Sequence, residues 1–295
     1  NKNKLATSDG STMENEFIKV EINRNGTLSI TDKETNHTLE QLLEFEDTGD
    51  IGNEYVYKQP VDEKAFYFSK GTTTHQLVEN TSEKASVMLT TRQLLPISAD
   101  ERLDDEQKRV IDFTNRKAQR SEKKVEVILK TTITLYKNSK KVDFETTFDN
   151  QIKDHRLRVL FPTKLKVDEH EADSIFEVVK RSNRVSKYWK NPTNAQHQHA
   201  FVNMHNKEYG VTIGNFGLNE YEILNNETIA LTLLRGVREM GDWGYFPTPE
   251  AQCLGTHTFK YSIELHGEAE SRYQTYKNAY AAQVPFVASQ TSIHE

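Results

Sequence analysis

The feature that most constrains this chain is a strict two-residue alternation through its middle. Val125, Val127, Leu129, Thr131, Ile133 and Leu135 fall on one side of an extended segment, with Glu126, Lys130, Thr132 and Thr134 on the other. A β-strand turns successive side chains to opposite faces, so the stretch predicts a long strand with one face on a core. After a turn at residues 137–141, Val142, Phe144, Thr146 and Phe148 alternate with Asp143, Glu145, Thr147 and Asp149, which predicts an antiparallel partner.

A second hairpin is predicted near the start, where residues 17–22 and 27–31 flank Asn25-Gly26, a dipeptide suited to tight turns that need positive φ. Further strands are read at residues 85–95, 157–160, 175–179, 200–204, 210–213, 221–224, 228–234 and 257–265. So many strands without intervening helical patterns point to an all-β sandwich rather than to βαβ units. The exception is residues 268–283, where the spacing of Tyr273, Tyr276, Ala279 and Tyr280 predicts a short helix ended before Pro285. The expected organisation is a linker over residues 1–14, one β domain over 15–267, and a helix with a second linker over 268–295.

The 12 Tyr and 14 Phe set the chain apart from disordered sequences, which cannot bury enough apolar surface to fold. A formal net charge of −6 lacks the basic footprint that nucleic acid or anionic lipid would require, so neither is expected as a partner. No run approaches the roughly 20 apolar residues that span a bilayer. The basic group Arg109, Arg116, Lys117, Arg120, Lys123 and Lys124 follows Asp100, Glu101, Asp104, Asp105 and Glu106, and reads as a solvated, mixed-charge excursion. Cys253 is the sole cysteine, which excludes an intramolecular disulfide; it reads as a structural thiol, with the cytoplasm as the default compartment.

Two irregular stretches hold residue types suited to chemistry. Residues 46–57 gather Glu46, Asp47, Asp50 and Glu54 with Gly49, Gly52, Tyr55 and Tyr57. Carboxylates accept hydrogen bonds from sugar hydroxyls and aromatic rings stack on a pyranose face, although a tight turn with solvated acids has the same composition. Residues 235–249 hold Arg238, Asp242, Trp243, Tyr245 and Phe246 among three glycines and two prolines, a loop built to meet a ligand, another domain or its own sandwich.

His197, His199 and His205 invite a metal reading, but no carboxylate or cysteine stands close in sequence to complete a ligand set. His155 beside Asp154 could be an acid or base with an orienting carboxylate, or simply a charged strand start. There is no phosphate-binding glycine loop, no Gly-x-Ser-x-Gly elbow and no closely spaced cysteine pair.

These two stretches, together with Met13-Glu14-Asn15-Glu16-Phe17-Ile18, resemble the C-terminal region of glycoside hydrolase family 38 α-mannosidases of the bacterial branch. The resemblance runs the length of the chain and continues in Val142-Asp143-Phe144, Tyr209-Gly210-Val211, Gly217-Leu218-Asn219-Glu220-Tyr221-Glu222 and residues 242–254. It implies a galactose-mutarotase-like supersandwich of mostly antiparallel strands.

It implies also that the zinc ion, the aspartate nucleophile and the general acid lie in an N-terminal α/β barrel. A retaining mechanism needs two carboxylates about 5 Å apart, and this chain matches none of the barrel motifs. The segment is then expected to be inactive alone, to hold no catalytic residue and no metal, to support the parent enzyme's barrel, and to wall a site for mannose-containing carbohydrate. The implied substrate-side residues are Tyr55, Asp50, Glu54, Arg238, Asp242, Trp243 and Tyr245. In animal members a tyrosine of a Gly-x-Tyr-x-aromatic turn lies near the saccharide; Tyr55 is the nearest match, with Gly52 three residues before it instead of two.

Surface that meets a barrel would also favour a homo-oligomer of the isolated piece. The competing expectation is a stand-alone mutarotase, epimerase or carbohydrate-binding module on the same fold, with His155 or His257 as the acid.

Overall fold

A computed structural model describes residues 4–284 and 286–293, and the C-terminal helix ends at Ala281, before Pro285 as expected. The chain is all-β and forms a supersandwich, with three antiparallel sheets and two short α-helices among the described residues. The largest sheet has nine strands. In spatial order they are Glu177–Ser182, Glu169–Ser174, Phe201–His205, Gly210–Asn215, Gly255–His266, Lys141–Asn150, Lys124–Tyr136, Lys84–Pro96 and Thr72–Asn80. The alternation read at its centre sets the register: Leu135 faces Val142, Ile133 faces Phe144 and Leu129 faces Phe148.

A six-stranded sheet packs against it, in the order Gln196–His197, Glu220–Leu224, Thr228–Gly236, His155–Pro162, Glu44–Gly49 and Phe66–Tyr67. The seam between the two is aromatic. Phe144 of the large sheet lies with its ring 6.1 Å from Phe161 of the smaller one and 5.3 Å from Tyr261. At the same level a buried hydroxyl chain runs from Thr131 to Thr146 (2.9 Å) to the Tyr261 phenol (2.7 Å), so polar atoms inside the core satisfy one another.

The remaining sheet has four strands, Thr12–Glu14, Ile18–Ile22, Leu28–Asp32 and His37–Leu42. It contains the expected N-terminal hairpin. Within the stretch read as a leading linker, Thr12–Glu14 pairs with Ile18–Ile22 and Met13 is buried. At the other end the helix Arg272–Ala281 docks through Tyr276, whose ring stacks 4.0 Å from Phe201, while Tyr273 and Tyr280 stay half exposed.

Three readings need correction. Residues 175–179 are not one strand: Ile175 and Phe176 form the exposed turn that joins Glu169–Ser174 to Glu177–Ser182, and two apolar residues at a hairpin tip mimic a strand. The acidic stretch at residues 46–57 is not all loop, since Glu44–Gly49 is an inner strand of the six-stranded sheet. Pairing on both sides overrides the low strand propensity of Glu, Asp and Gly. The mixed-charge excursion at residues 108–124 is not wholly solvated either; it follows the helix Arg102–Lys108 and carries Arg116 and Arg120 into the interior.

Candidate functional site

The strand His155–Pro162 is buried along both faces, and this departure from alternation locates the site. Leu157, Val159 and Phe161 enter the core, whereas Arg156 and Arg158 point to the opposite face and lie buried beneath loops. Neighbouring strands and turns supply their partners. Arg158 binds Glu46 at 2.6 Å and Glu222 at 2.8 Å, Arg235 binds Asp50 at 2.7 Å, and Arg156 lies 3.4 Å over the ring of Tyr57. The Tyr57 hydroxyl donates to Thr48 at 2.9 Å, and its burial pushes the phenol up to about 12.

On this platform stand two turns. In the first, Asp50 accepts from the Gly52 amide at 3.0 Å and the Lys58 amide at 3.2 Å, and Asn53 accepts from Tyr55 and Val56. Gly52 is required by close approach: a Cβ there would sit 1.9 Å from the Val56 carbonyl oxygen. In the second turn a Cβ on Gly241 would meet the Trp243 ring at 2.0 Å, so the indole lies close against its own backbone.

The two turns touch. The Glu54 amide donates to the Glu239 carbonyl at 3.1 Å, the Asn53 amide group donates to Asp242 at 2.9 Å, and the rings of Tyr55 and Trp243 lie 5.6 Å apart. Arg116 sits behind both. Its guanidinium donates to the carbonyls of Ile51 (2.7 Å) and Gly52 (2.8 Å), to Asp242 (2.8 Å) and to Glu239, with its side chain 1 % exposed.

The residues expected to meet sugar divide into two groups. Tyr55, Glu54, Trp243 and Tyr245 are exposed, with Tyr55 at 71 % and Trp243 at 61 %, and Phe246 extends the aromatic row 5.9 Å beyond Trp243. Asp50, Asp242 and Arg238 face inward: Asp50 is taken by Arg235, Asp242 by Arg116, Asn53 and the Phe113 amide, and Arg238 by Asp154. Their charges hold the turns in place and are not free for a ligand. Burial pushes the Asp50 carboxyl up against the pull of the Arg235 guanidinium, so a shift there reflects packing.

Beside Tyr55 opens a groove of about 450 Å³ whose lining includes Tyr57, Asn191, His197, Glu220 and Arg235. It combines ring faces, amides and one carboxylate, the donors and acceptors that a polyhydroxylated ligand can use.

Two of the candidate histidines, His155 and His205, are held for structure, whereas His197 and His199 are exposed. His155 is fully buried, with Nδ1 2.6 Å from Asp47 and Nε2 3.1 Å from Asn150, so neither ring nitrogen is free; its carboxylate partner is Asp47, not the adjacent Asp154. Asp47 is shared with Arg120 at 2.6 Å. His205 pairs with Asn203 at 2.6 Å, and among the described residues no three His, Cys, Asp or Glu side chains gather as a metal would require.

Arg116 and Arg120 were hidden in a charged stretch. The available signal was the two-residue period of Arg116, Ala118 and Arg120 against exposed Lys117 and Gln119.

Comparison with known proteins agrees with this architecture. The family description "Glycosyl hydrolases family 38 C-terminal domain" matches residues 13–240. A protein of Halalkalibacterium halodurans named putative mannosylglycerate hydrolase is 41 % identical over 280 residues, which are 95 % of this chain and 31 % of that protein. The crystal structure of an alpha-mannosidase from Enterococcus faecalis superposes with a TM-score of 0.96 at 54 % identity, covering 99 % of this chain and 33 % of that one. An alpha-N-acetylgalactosaminidase from Bifidobacterium bifidum shares the fold alone, at 9 % identity and a TM-score of 0.51 over 92 % of this chain and 39 % of that one. The chain thus spans about a third of the length of its first two relatives.

Proposed function

This chain belongs to glycosyl hydrolase family 38, as its C-terminal domain, and from that premise we propose that it forms the β-sandwich portion of a retaining α-mannosidase. In this reading it supports the catalytic barrel and walls the sugar site with the Tyr55 and Trp243 turns. The pair of nucleophile and acid carboxylates, and the zinc ion, belong to the part of the parent enzyme outside this chain. The substrate is a mannose-containing carbohydrate, as the names of both near relatives suggest.

The observation that carries the reading is the meeting of two exposed rings from opposite ends of the chain, Tyr55 and Trp243, at 5.6 Å. Exposed aromatics held by buried ion pairs are costly to maintain without a surface to meet. They offer a sugar or a neighbouring module a rigid apolar wall beside a polar groove. In the complete enzyme, Tyr55→Ala and Trp243→Ala should each lower kcat/KM for an α-mannoside by at least about tenfold, with melting unchanged. Wild-type kinetics in both variants would remove the turns from the site.

A further inference from the structure

The outer face of the nine-stranded sheet carries a second concavity, away from the two turns. Its floor is a single cross-strand row of short side chains: Gly214 faces Ser262, Ser262 faces Asp143, Asp143 faces Thr134 and Thr134 faces Ser86. The rows on either side are taller. Two residues along the strands in one direction stand Glu264, Lys141 and Tyr136; in the other stand Lys260 and Glu145. Residues two apart share a face, so the short row between long ones makes a trough. Its volume is about 590 Å³, and Ala279, Ala282 and Gln283 at the end of the C-terminal helix close one side.

The chemistry of this trough is selective. Two exposed rings line it, Tyr136 at 46 % and Phe216 at 56 %. Two of its carboxylates are paired with cations, Lys141 lying 3.1 Å from Asp143 and Lys260 3.6 Å from Glu145, and the Asn278 amide donates to both oxygens of Glu264 at 2.8 and 3.1 Å. An ion would therefore find Asp143 and Glu145 already paired. Hydroxyls line the floor, with Ser86 and Thr134 bonded at 3.0 Å and Ser262 on the other side of Asp143. Burial also pushes the Asp143 carboxyl up although Lys141 pulls it down, the mark of a charge short of hydrogen-bond donors.

We propose that this trough is a separate binding site for a neutral oligosaccharide, with sugar faces on Tyr136 and Phe216 and hydroxyls on Asp143, Lys141 and Ser262. Rings, paired charges and hydroxyls together suit a polyhydroxylated ligand with no net charge. The proposal does not depend on the Tyr55 and Trp243 turns meeting mannose.

Calorimetric titration of the complete protein with mannotriose, maltotriose and cellotriose tests it. At least one triose should bind, and Phe216→Ala and Ser262→Leu, which removes a ring and fills the floor respectively, should weaken that binding by at least about tenfold. Tyr55→Ala should leave it intact, which separates this site from the one proposed above. If Ser262→Leu does not fold, Phe216→Ala decides alone. The proposal is overturned by the absence of millimolar binding of all three trioses, by binding that survives Phe216→Ala, or by shielding of Lys141 and Lys260 from amine-reactive reagents by the rest of the complete chain.

Discussion

Arg116 and Asp242 meet at 2.8 Å across 126 positions of sequence, and their pairing sets the Tyr55 turn against the Trp243 turn. One guanidinium can do this because its five N–H donors lie in a planar fork. Its Nη1 holds the carbonyls of both Ile51 and Gly52, its Nε donates to the Ile111 carbonyl, and its Nη2 reaches the carboxylates of Glu239 and Asp242.

Removal of the fork should be expensive. Arg116→Met leaves Glu239 buried without its cation, and should destabilise this domain by about 3–5 kcal/mol, read as a shift of its urea midpoint. Arg116→Lys should recover little, because an ammonium cannot span both turns. A loss below about 1 kcal/mol in the methionine variant would show that the turns hold one another without the arginine.

The seat of Trp243 can be tested by light. In a Trp189→Phe background Trp243 is the only tryptophan of this chain and can be excited apart from its tyrosines, and Gly241→Ala should push its indole off the backbone it covers, since the added Cβ would lie 2.0 Å from the ring. A shifted emission maximum and altered iodide quenching are expected. An unchanged spectrum would mean that the ring does not rest on Gly241.

Two buried histidines make stability fall with acid. His170, 2.6 Å from the Tyr221 hydroxyl, and His266, 3.0 Å from the Asn203 amide, are each held neutral, burial pushing both from 6.5 down to about 4. The unfolded chain therefore takes up protons first as pH drops. Stability should be full above about pH 6.5 and should decline toward pH 4, by at most roughly 3 kcal/mol per histidine. His170→Gln and His266→Gln should each flatten the slope of denaturation midpoint against pH in that window; an unaltered slope in both would assign the acid sensitivity to other groups.

The buried hydroxyl chain predicts a smaller effect. Thr146→Val keeps the shape of the side chain but leaves Thr131 and Tyr261 each without a partner inside the core, and should cost about 1–3 kcal/mol in urea denaturation. A neutral result would mean that the two remaining hydroxyls find each other.

The fold was legible because its central strands obey one rule. Leu129, Ile133, Val142 and Phe144 alternate without interruption, and their pairing in the large sheet follows from that pattern. Where two faces of a strand are buried the rule fails, and Arg156 and Arg158 gave no hint of their loop cover. The two turns could be picked out by composition, but their meeting could not, because it rests on Arg116, a residue whose neighbours are solvated lysines and acids. Asp50 and Asp242 looked like ligand acceptors for the same reason: a carboxylate in a glycine-rich stretch reads alike whether it faces water or an arginine. Only the partner decides, and the partners, Arg235 and Arg116, lie 185 and 126 positions away.

That separation has a consequence in time. Gly52, Arg116 and Glu239 leave the ribosome in succession, and the guanidinium has no carboxylate from the second turn until the last of them is free. The N-terminal hairpin and the pair of strands Lys124–Tyr136 and Lys141–Asn150 can form during synthesis from neighbouring residues, while the aromatic wall closes only when most of the domain has been made. A chain stalled before residue 239 would carry its first turn open, with Arg116 lacking both carboxylate partners, and quality-control machinery would meet it in that state.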